Sequence, residues 1–247
     1  VTVWPEGVRR ILLDEVDSTN SEAQRMAAGG ERGPAWICAR RQTAGRGRRG
    51  RGWQAPEGNF SASLLMEPQG TPAEAALRSF TAALALREAF EAVTGRPALF
   101  SLKWPNDVLM SGRKIAGILL ERSGTAGPLI VGIGVNLRHA PPAASLDLGA
   151  LPPVALADCG VQVTAEAFLA PLATAFARRE ALFLAEGFAP LRAEWLGFAA
   201  RLGETVTARL PGRSLTGIFE TVDAAGALVL NTGTARHEIT AADIQFS

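Results

Sequence analysis

The 247-residue chain has no tyrosine, two cysteines, two histidines and two lysines. Cys38 and Cys159 show neither disulfide-framework nor metal-ligand spacing, which points to a reducing cytoplasm. His139 and His237 are isolated, so a Cys/His zinc centre or a histidine-based triad has little to build on. We read His139, Cys38 and Cys159 as structural and expect no protein-held metal. The longest apolar stretches, residues 80–86 and 129–135, fall far short of the roughly 18 residues a membrane span needs, so a soluble protein is expected. No charged-then-apolar leader precedes Trp4 and Pro5. The balance of 25 Lys+Arg against 24 Asp+Glu leaves +1, which argues against a uniformly basic nucleic-acid binder.

Hydrophobic residues make up 47% and charged residues 20%, a globular composition with ample core. A first strand is expected over residues 10–14. Thr19 with Glu22 forms a capping-box pattern that opens a helix ending at Gly29 and Gly30. Strands follow over 35–39 and 60–66, the second with Phe60, Ala62, Leu64 and Met66 on one face. A helix opens at Thr71 and Pro72, carries Leu77, Phe80, Leu84 and Val93, and ends at Gly95. Residues 99–103, 115–121 and 129–135 read as further strands, the last two buried on both faces. A Pro/Ala loop over 140–153 leads to a helix over 165–186 and a shorter one near 190–200. From residue 202 the pattern turns to short alternating segments over 205–210, 215–222, 227–231 and 235–240. That describes a barrel-like tail of about 45 residues.

Three segments carry chemistry. Residues 40–53 hold six arginines and four glycines and no acid, a composition suited to an anion: glycines let backbone N–H groups turn toward a phosphate, and guanidinium forks add charge-assisted bonds. The Gly45-x-Gly47-x-x-Gly50 spacing matches a dinucleotide fingerprint, but it runs into Trp53 and Pro56 rather than a helix, so the match is accidental. Both lysines fall in one hairpin-like unit, Lys103-Trp104-Pro105-Asn106-Asp107 and, after a turn at Ser111-Gly112, Arg113-Lys114-Ile115-Ala116-Gly117-Ile118. In a chain that uses arginine almost everywhere, a retained lysine marks a place for a compact point charge. Gly132-Ile133-Gly134-Val135-Asn136 ends a buried strand with small residues that permit close approach and an amide able to read a base edge. A hairpin with solvated charges and a basic nucleic-acid patch are the plainer alternatives.

In these segments, together with Ser18-Thr19-Asn20 and Gln42, the chain resembles the biotin protein ligases, in family order and over nearly the whole chain. The resemblance implies an α+β protein: a mixed-sheet catalytic domain like that of class II aminoacyl-tRNA synthetases over 1–200, and a small SH3-like domain over 201–247. With about 17 residues before Ser18, it implies the short type without an N-terminal DNA-binding domain. The implied reaction consumes ATP and biotin with Mg²⁺, forms biotinyl-5′-AMP and pyrophosphate, and passes the biotinyl group to a lysine of biotin carboxyl carrier protein. It implies no DNA and no membrane partner, and leaves a homodimer open. Lys114, Arg48 and Asp107 are the implied catalytic residues, with Arg46 adding charge. Ser18, Thr19 and Gln42 would meet the ureido head, the 46–48 backbone the carboxylate end, Trp53 the apolar tail, and Asn136 the adenine. Asn20, Gly45, Gly47, Lys103, Asn106, Gly117 and Gly134 complete the implied binding set. A lipoate-ligase-like adenylate transferase and a nucleic-acid-binding regulator are the rival readings.

Overall fold

The computed structural model describes residues 3–122, 127–142 and 150–246; of the expected 140–153 loop, residues 143–149 lie outside the described residues. Apolar strands without polar alternation require cover on both faces, and the central sheet obtains it. Its strands are β1 (Arg9–Val16), β2 (Ala35–Gln42), β3 (Phe60–Met66), β4 (Phe100–Lys103), β5 (Asp107–Met110), β6 (Arg113–Arg122) and β7 (Leu129–Val135), in the order β1-β2-β3-β7-β6-β5-β4. β1 and β2 run parallel and the other pairs antiparallel, giving a mixed sheet.

Helices α2 (Pro72–Ala76), α3 (Arg78–Thr94), α4 (Ala165–Glu186) and α5 (Phe188–Gly197) build the main core with one face of this sheet. There Phe60, Phe90, Phe100 and Phe168 pack ring to ring, with centroids 4.7 to 5.3 Å apart. The second face is covered only in part. Helix α1 (Thr19–Ala28) sets Ala23 and Ala27 on Ile37, Leu65 and Ile130. Ten residues span about 15 Å, and beyond them the face stays open.

Strand register determines what lies on that open face, because directly paired residues point the same way. One row crosses the whole sheet as Leu13, Ala39, Ser61, Gly134, Gly117, Asp107 and Lys103. Its middle is two glycines and one end is a carboxylate beside an ammonium. The neighbouring row runs Ile37, Ser63, Gly132 and Leu119.

A second, wholly antiparallel sheet contains β8 (Thr205–Leu210), β9 (Arg213–Val222), β10 (Leu228–Asn231), β11 (Arg236–Ile239) and β12 (Asp243–Phe246), in the order β11-β10-β9-β8-β12. Trp104, itself 2% exposed, joins the sheets by donating from Nε1 to the Gly226 carbonyl at 3.0 Å.

Three local expectations change. Ser18, not Thr19, is the N-cap of α1, and no side chain caps it. The Thr19 N–H donates instead to Gln42 Oε1 at 2.7 Å, which satisfies one of the helix's first amides from the neighbouring strand. The helix expected from Thr71 to Gly95 breaks at Leu77, where the buried Arg78 guanidinium takes the Glu74 carbonyl at 2.9 Å and also binds Glu180. Strand β3 buries both of its faces rather than one.

Candidate active site

The uncovered face is the floor of a cleft of about 810 Å³. Fifteen of the sixteen residues singled out from the sequence line it, from Ser18, Thr19, Asn20 and Gln42 at one end to Lys103, Asn106, Asp107 and Lys114 at the other. Arg46, Gly47, Arg48 and Trp53 come from the arginine loop, Gly117 and Gly134 from the floor, and Asn136 from beyond β7. Gly45 is placed differently. A Cβ there would strike the Trp53 carbonyl, so this glycine lets the two backbones of the loop close on each other, off the cleft wall.

The first end is a polar socket built by register. The Gln42 side-chain oxygen accepts from both the amide and the hydroxyl of Thr19. Ser63, wholly buried on β3, has its hydroxyl 2.8 Å from Thr19 Oγ1 and 2.5 Å from Asn20 Oδ1. The Asn20 amide lies over Gly132, where any Cβ would overlap it, and donates to Glu121 at 2.7 Å. Glu121 also binds Arg46 at 3.1 Å. One chain of contacts thus runs from Gln42 through Thr19, Ser63, Asn20 and Glu121 to the arginine loop.

That loop is folded as a short hairpin. Arg46 bridges Gly52, Trp53 N–H donates to the Gly45 carbonyl at 2.9 Å, and Gly47 N–H to the Arg51 carbonyl at 2.7 Å. Residues 48–50 form the tip, with Arg49 at φ 56° and Gly50 at φ 73°. Mutual repulsion of the arginines is relieved by partners: Arg48 donates to Asn106 Oδ1 at 2.9 Å, and Arg49 and Arg51 reach Asp243 of β12 at 2.5 and 3.4 Å.

The far end is a charge cluster. Asp107 lies 2.7 Å from Lys114 Nζ and 3.9 Å from Lys103 Nζ, with little exposure at Asp107 or Lys103. Burial works to raise the Asp107 pKa, but Lys114 and Lys103 together outweigh it, and the carboxyl titrates below its usual range. Burial lowers the Lys103 pKa against the pull of Asp107. Burial likewise lowers that of the Arg48 guanidinium. Among the described lining residues seven side chains are cationic and two, Asp107 and Asp243, are carboxylates, in a chain whose net charge is +1. The positive charge is therefore concentrated in the cleft.

Two neutral polar atoms buried along it, Asn136 Oδ1 and Trp53 Nε1, have no hydrogen-bond partner. The Trp53 indole lies over Gly134 and Gly117, with Lys114 Nζ 5.7 Å from its ring. Sequence reasoning missed Ser63, Glu121, Arg209 and Asp243. A serine in an apolar strand and an acid at a strand end carry no signal of their own, and the second sheet comes to the cleft only in three dimensions.

An open mixed-sheet face, a neutral socket and a cationic end define a ligase-type fold that known proteins share. The profile of the "Biotin/lipoate A/B protein ligase family" matches residues 14–137, and that of the "Biotin protein ligase C terminal domain" matches 202–247. The chain is 50% identical, over 95% of its length and 99% of the relative's, to a biotin–[acetyl-CoA-carboxylase] ligase of Paracoccus denitrificans. It is 31% identical to the corresponding ligase of Mycobacterium tuberculosis over 94% of this chain and 87% of that protein. Among solved structures, the biotin protein ligase of Aquifex aeolicus in complex with biotin and ATP superposes with a TM-score of 0.83 at 29% identity, covering 97% of this chain and 99% of that one. This chain belongs to the biotin/lipoate protein ligase family, on its biotin ligase side.

Proposed function

We propose that this chain activates biotin as biotinyl-5′-AMP at the expense of ATP and transfers the biotinyl group to one lysine of the biotin carboxyl carrier protein of a carboxylase. The observation that carries this reading is the polarity of one cleft: a neutral hydrogen-bonding socket at Ser18, Thr19 and Gln42, a glycine floor, and a cationic end at Lys103, Lys114 and the arginine loop. Biotin has the matching order, a neutral ureido ring, an apolar chain and a carboxylate.

The first half-reaction needs no base, since a carboxylate with a reference pKa near 4 is ionised at pH 7. Its oxygen attacks the α-phosphorus, and the bond from that phosphorus to the β-phosphate oxygen breaks. Lys114, Arg46 and Arg48 neutralise the approaching anions and the charge that develops. Asn136, whose buried Oδ1 lacks a partner, accepts from the adenine amino group. No cluster of three potential ligands occurs among the described residues, and Asp107 and Asp243 are both ion-paired. That donor set suits Mg²⁺ arriving on the phosphates as Mg·ATP. In the second half-reaction the carrier lysine amine, its excess protons passing to solvent, attacks the biotinyl carbonyl carbon; the bond from that carbon to the AMP phosphate oxygen breaks, AMP leaves with the electron pair, and Asp107, held ionised, orients the amine.

Residues 1–200 act in this reading as the catalytic domain, related to class II aminoacyl-tRNA synthetases, and 201–247 as an SH3-like barrel. The protein works in the cytoplasm without DNA or membrane. Two free cysteines support a reducing setting. ATP–pyrophosphate exchange tests the reading: exchange appears only with biotin present, and exchange independent of biotin overturns it.

A further inference from the structure

Asparagine is rare in this chain, at positions 20, 59, 106, 136 and 231. Asn20, Asn106 and Asn136 line the cleft, whereas Asn59, 2% exposed, stands behind its wall and binds the backbone of residues 138 and 139. Its Oδ1 accepts from the Arg138 N–H at 3.0 Å and from the His139 N–H at 2.9 Å, and its Nδ2 donates to the His139 carbonyl at 2.7 Å. Both lone pairs of the oxygen and one amide hydrogen are thereby used. A side chain engaged in this way fastens backbone and leaves the substrate to others.

Strand register shows what is fastened. The pairing of β3 with β7 runs from Met66 opposite Leu129 to Phe60 opposite Val135, so Asn59 and Asn136 are the next residue of each strand. Beyond that last pair the ladder gives the chain leaving β7 no further partner on β3. The Asn59 amide, which carries the donor and acceptor of a peptide group, takes over that task. Gly58, at φ 91°, lets the two backbones come close, since a Cβ there would stand 2.8 Å from Arg138 Cδ. Asn136 itself is held from the other side: its N–H donates to the Ile115 carbonyl at 2.9 Å, and its carbonyl accepts from the Leu156 N–H at 2.8 Å. The backbone that Asn59 grips therefore joins Asn136 to Pro141, and both line the cleft. We infer that Asn59 is a positioning residue for the nucleotide base: it fixes residues 138 and 139 so that Asn136 and Pro141 form the adenine seat before ATP arrives. Without this fastening ATP would have to order the segment itself, at a cost in affinity.

The inference rests on the reading of adenine by Asn136 proposed above, and one set of variants separates the two. Asn59→Ala, Asn59→Asp and Asn136→Ala are compared with the parent for the ATP KM, for inhibition by pyrophosphate, and for biotin affinity titrated without nucleotide. Asn136→Ala raises the ATP KM about tenfold, as loss of one hydrogen bond to the base requires. Asn59→Ala raises it by about tenfold to a hundredfold, the cost of a displaced positioning group. Asn59→Asp keeps the two accepted bonds, loses the donated one, and falls between Asn59→Ala and the parent; it carries the test if Asn59→Ala does not fold. Pyrophosphate has no base and biotin sits in the Thr19 and Gln42 socket, so both of their constants stay within about twofold, inside the scatter of a neutral change. A parent-like ATP KM in the Asn59 variants, with that of Asn136→Ala raised, overturns the inference alone. A parent-like ATP KM in Asn136→Ala overturns the placement of the base and the inference with it. Biotin and pyrophosphate constants that worsen as far as the ATP KM identify a general structural role for Asn59 and also overturn it.

Discussion

The Trp53 indole and position 134 compete for one space: the ring rests on the Gly134 backbone where any side chain would stand. Gly134→Ala therefore displaces the ring without touching the charge cluster. Because a shift of about 1 Å in a positioning group costs up to a hundredfold, kcat/KM for biotin should drop by about that factor while the fold persists. Tryptophan emission should move to the red in the same variant as the indole leaves its half-buried seat. Parent-like kinetics in the Gly134→Ala variant would show that the Trp53 position is irrelevant to turnover.

Ser63 lies between Thr19 and Asn20 and is wholly buried. Ser63→Ala leaves both without that hydroxyl, at a cost to stability of about 1 to 3 kcal/mol. The KM for biotin should rise about tenfold, with the KM for ATP nearly unchanged, because the socket and the phosphate end lie at opposite ends of the cleft. Steady-state kinetics with each substrate varied checks this, and an ATP effect as large as the biotin effect would count against the division.

What the sequence made legible follows the strength of its local signals. Strand β7 and helix α4 have the expected bounds because Thr164 caps the helix, Gly187 stops it, and the apolar run of β7 is unbroken. Strands β5 and β12 are each four residues long, too short to show a usable period, and the pattern predicts neither. The cap falls at Ser18 rather than Thr19 because Gln42, 23 residues away, supplies the acceptor. In the cleft, the lysine and arginine-glycine segments were legible as clusters unusual in this composition, whereas Ser18, Thr19, Asn20 and Gln42 were legible only through the family resemblance. Glu121 and Asp243 were not, since each acquires its role only from an arginine that the fold brings to it.

Asp107 links stability to pH. Its carboxyl titrates below the usual range in the folded state, so the unfolded chain binds the extra proton. The stabilisation is complete above the unfolded value near 3.9 and disappears as pH falls through the folded one. Asp107→Asn leaves Lys103 and Lys114 without their shared counter-charge and should cost about 3 kcal/mol at pH 7. In urea unfolding the gap between parent and variant should narrow only below about pH 4. A gap that closes between pH 7 and 5 would show that another group governs it.

Lys114→Arg keeps the charge but replaces a compact ammonium, 2.7 Å from Asp107, with a broad planar group. Adenylate formation should fall by about a hundredfold or more. Pyrophosphate release during single turnover reports it, and a near-parent rate would show that charge alone suffices at this position.

The central claim is that one cleft performs both activation and transfer. Incubation of the protein with biotin, Mg·ATP and an apo biotin carboxyl carrier domain, followed by intact mass measurement of the carrier, tests it most directly. The account predicts addition of a single biotinyl group at one lysine, dependent on both biotin and ATP. A carrier of unchanged mass, in a reaction where the chain is folded and binds both substrates, would contradict it.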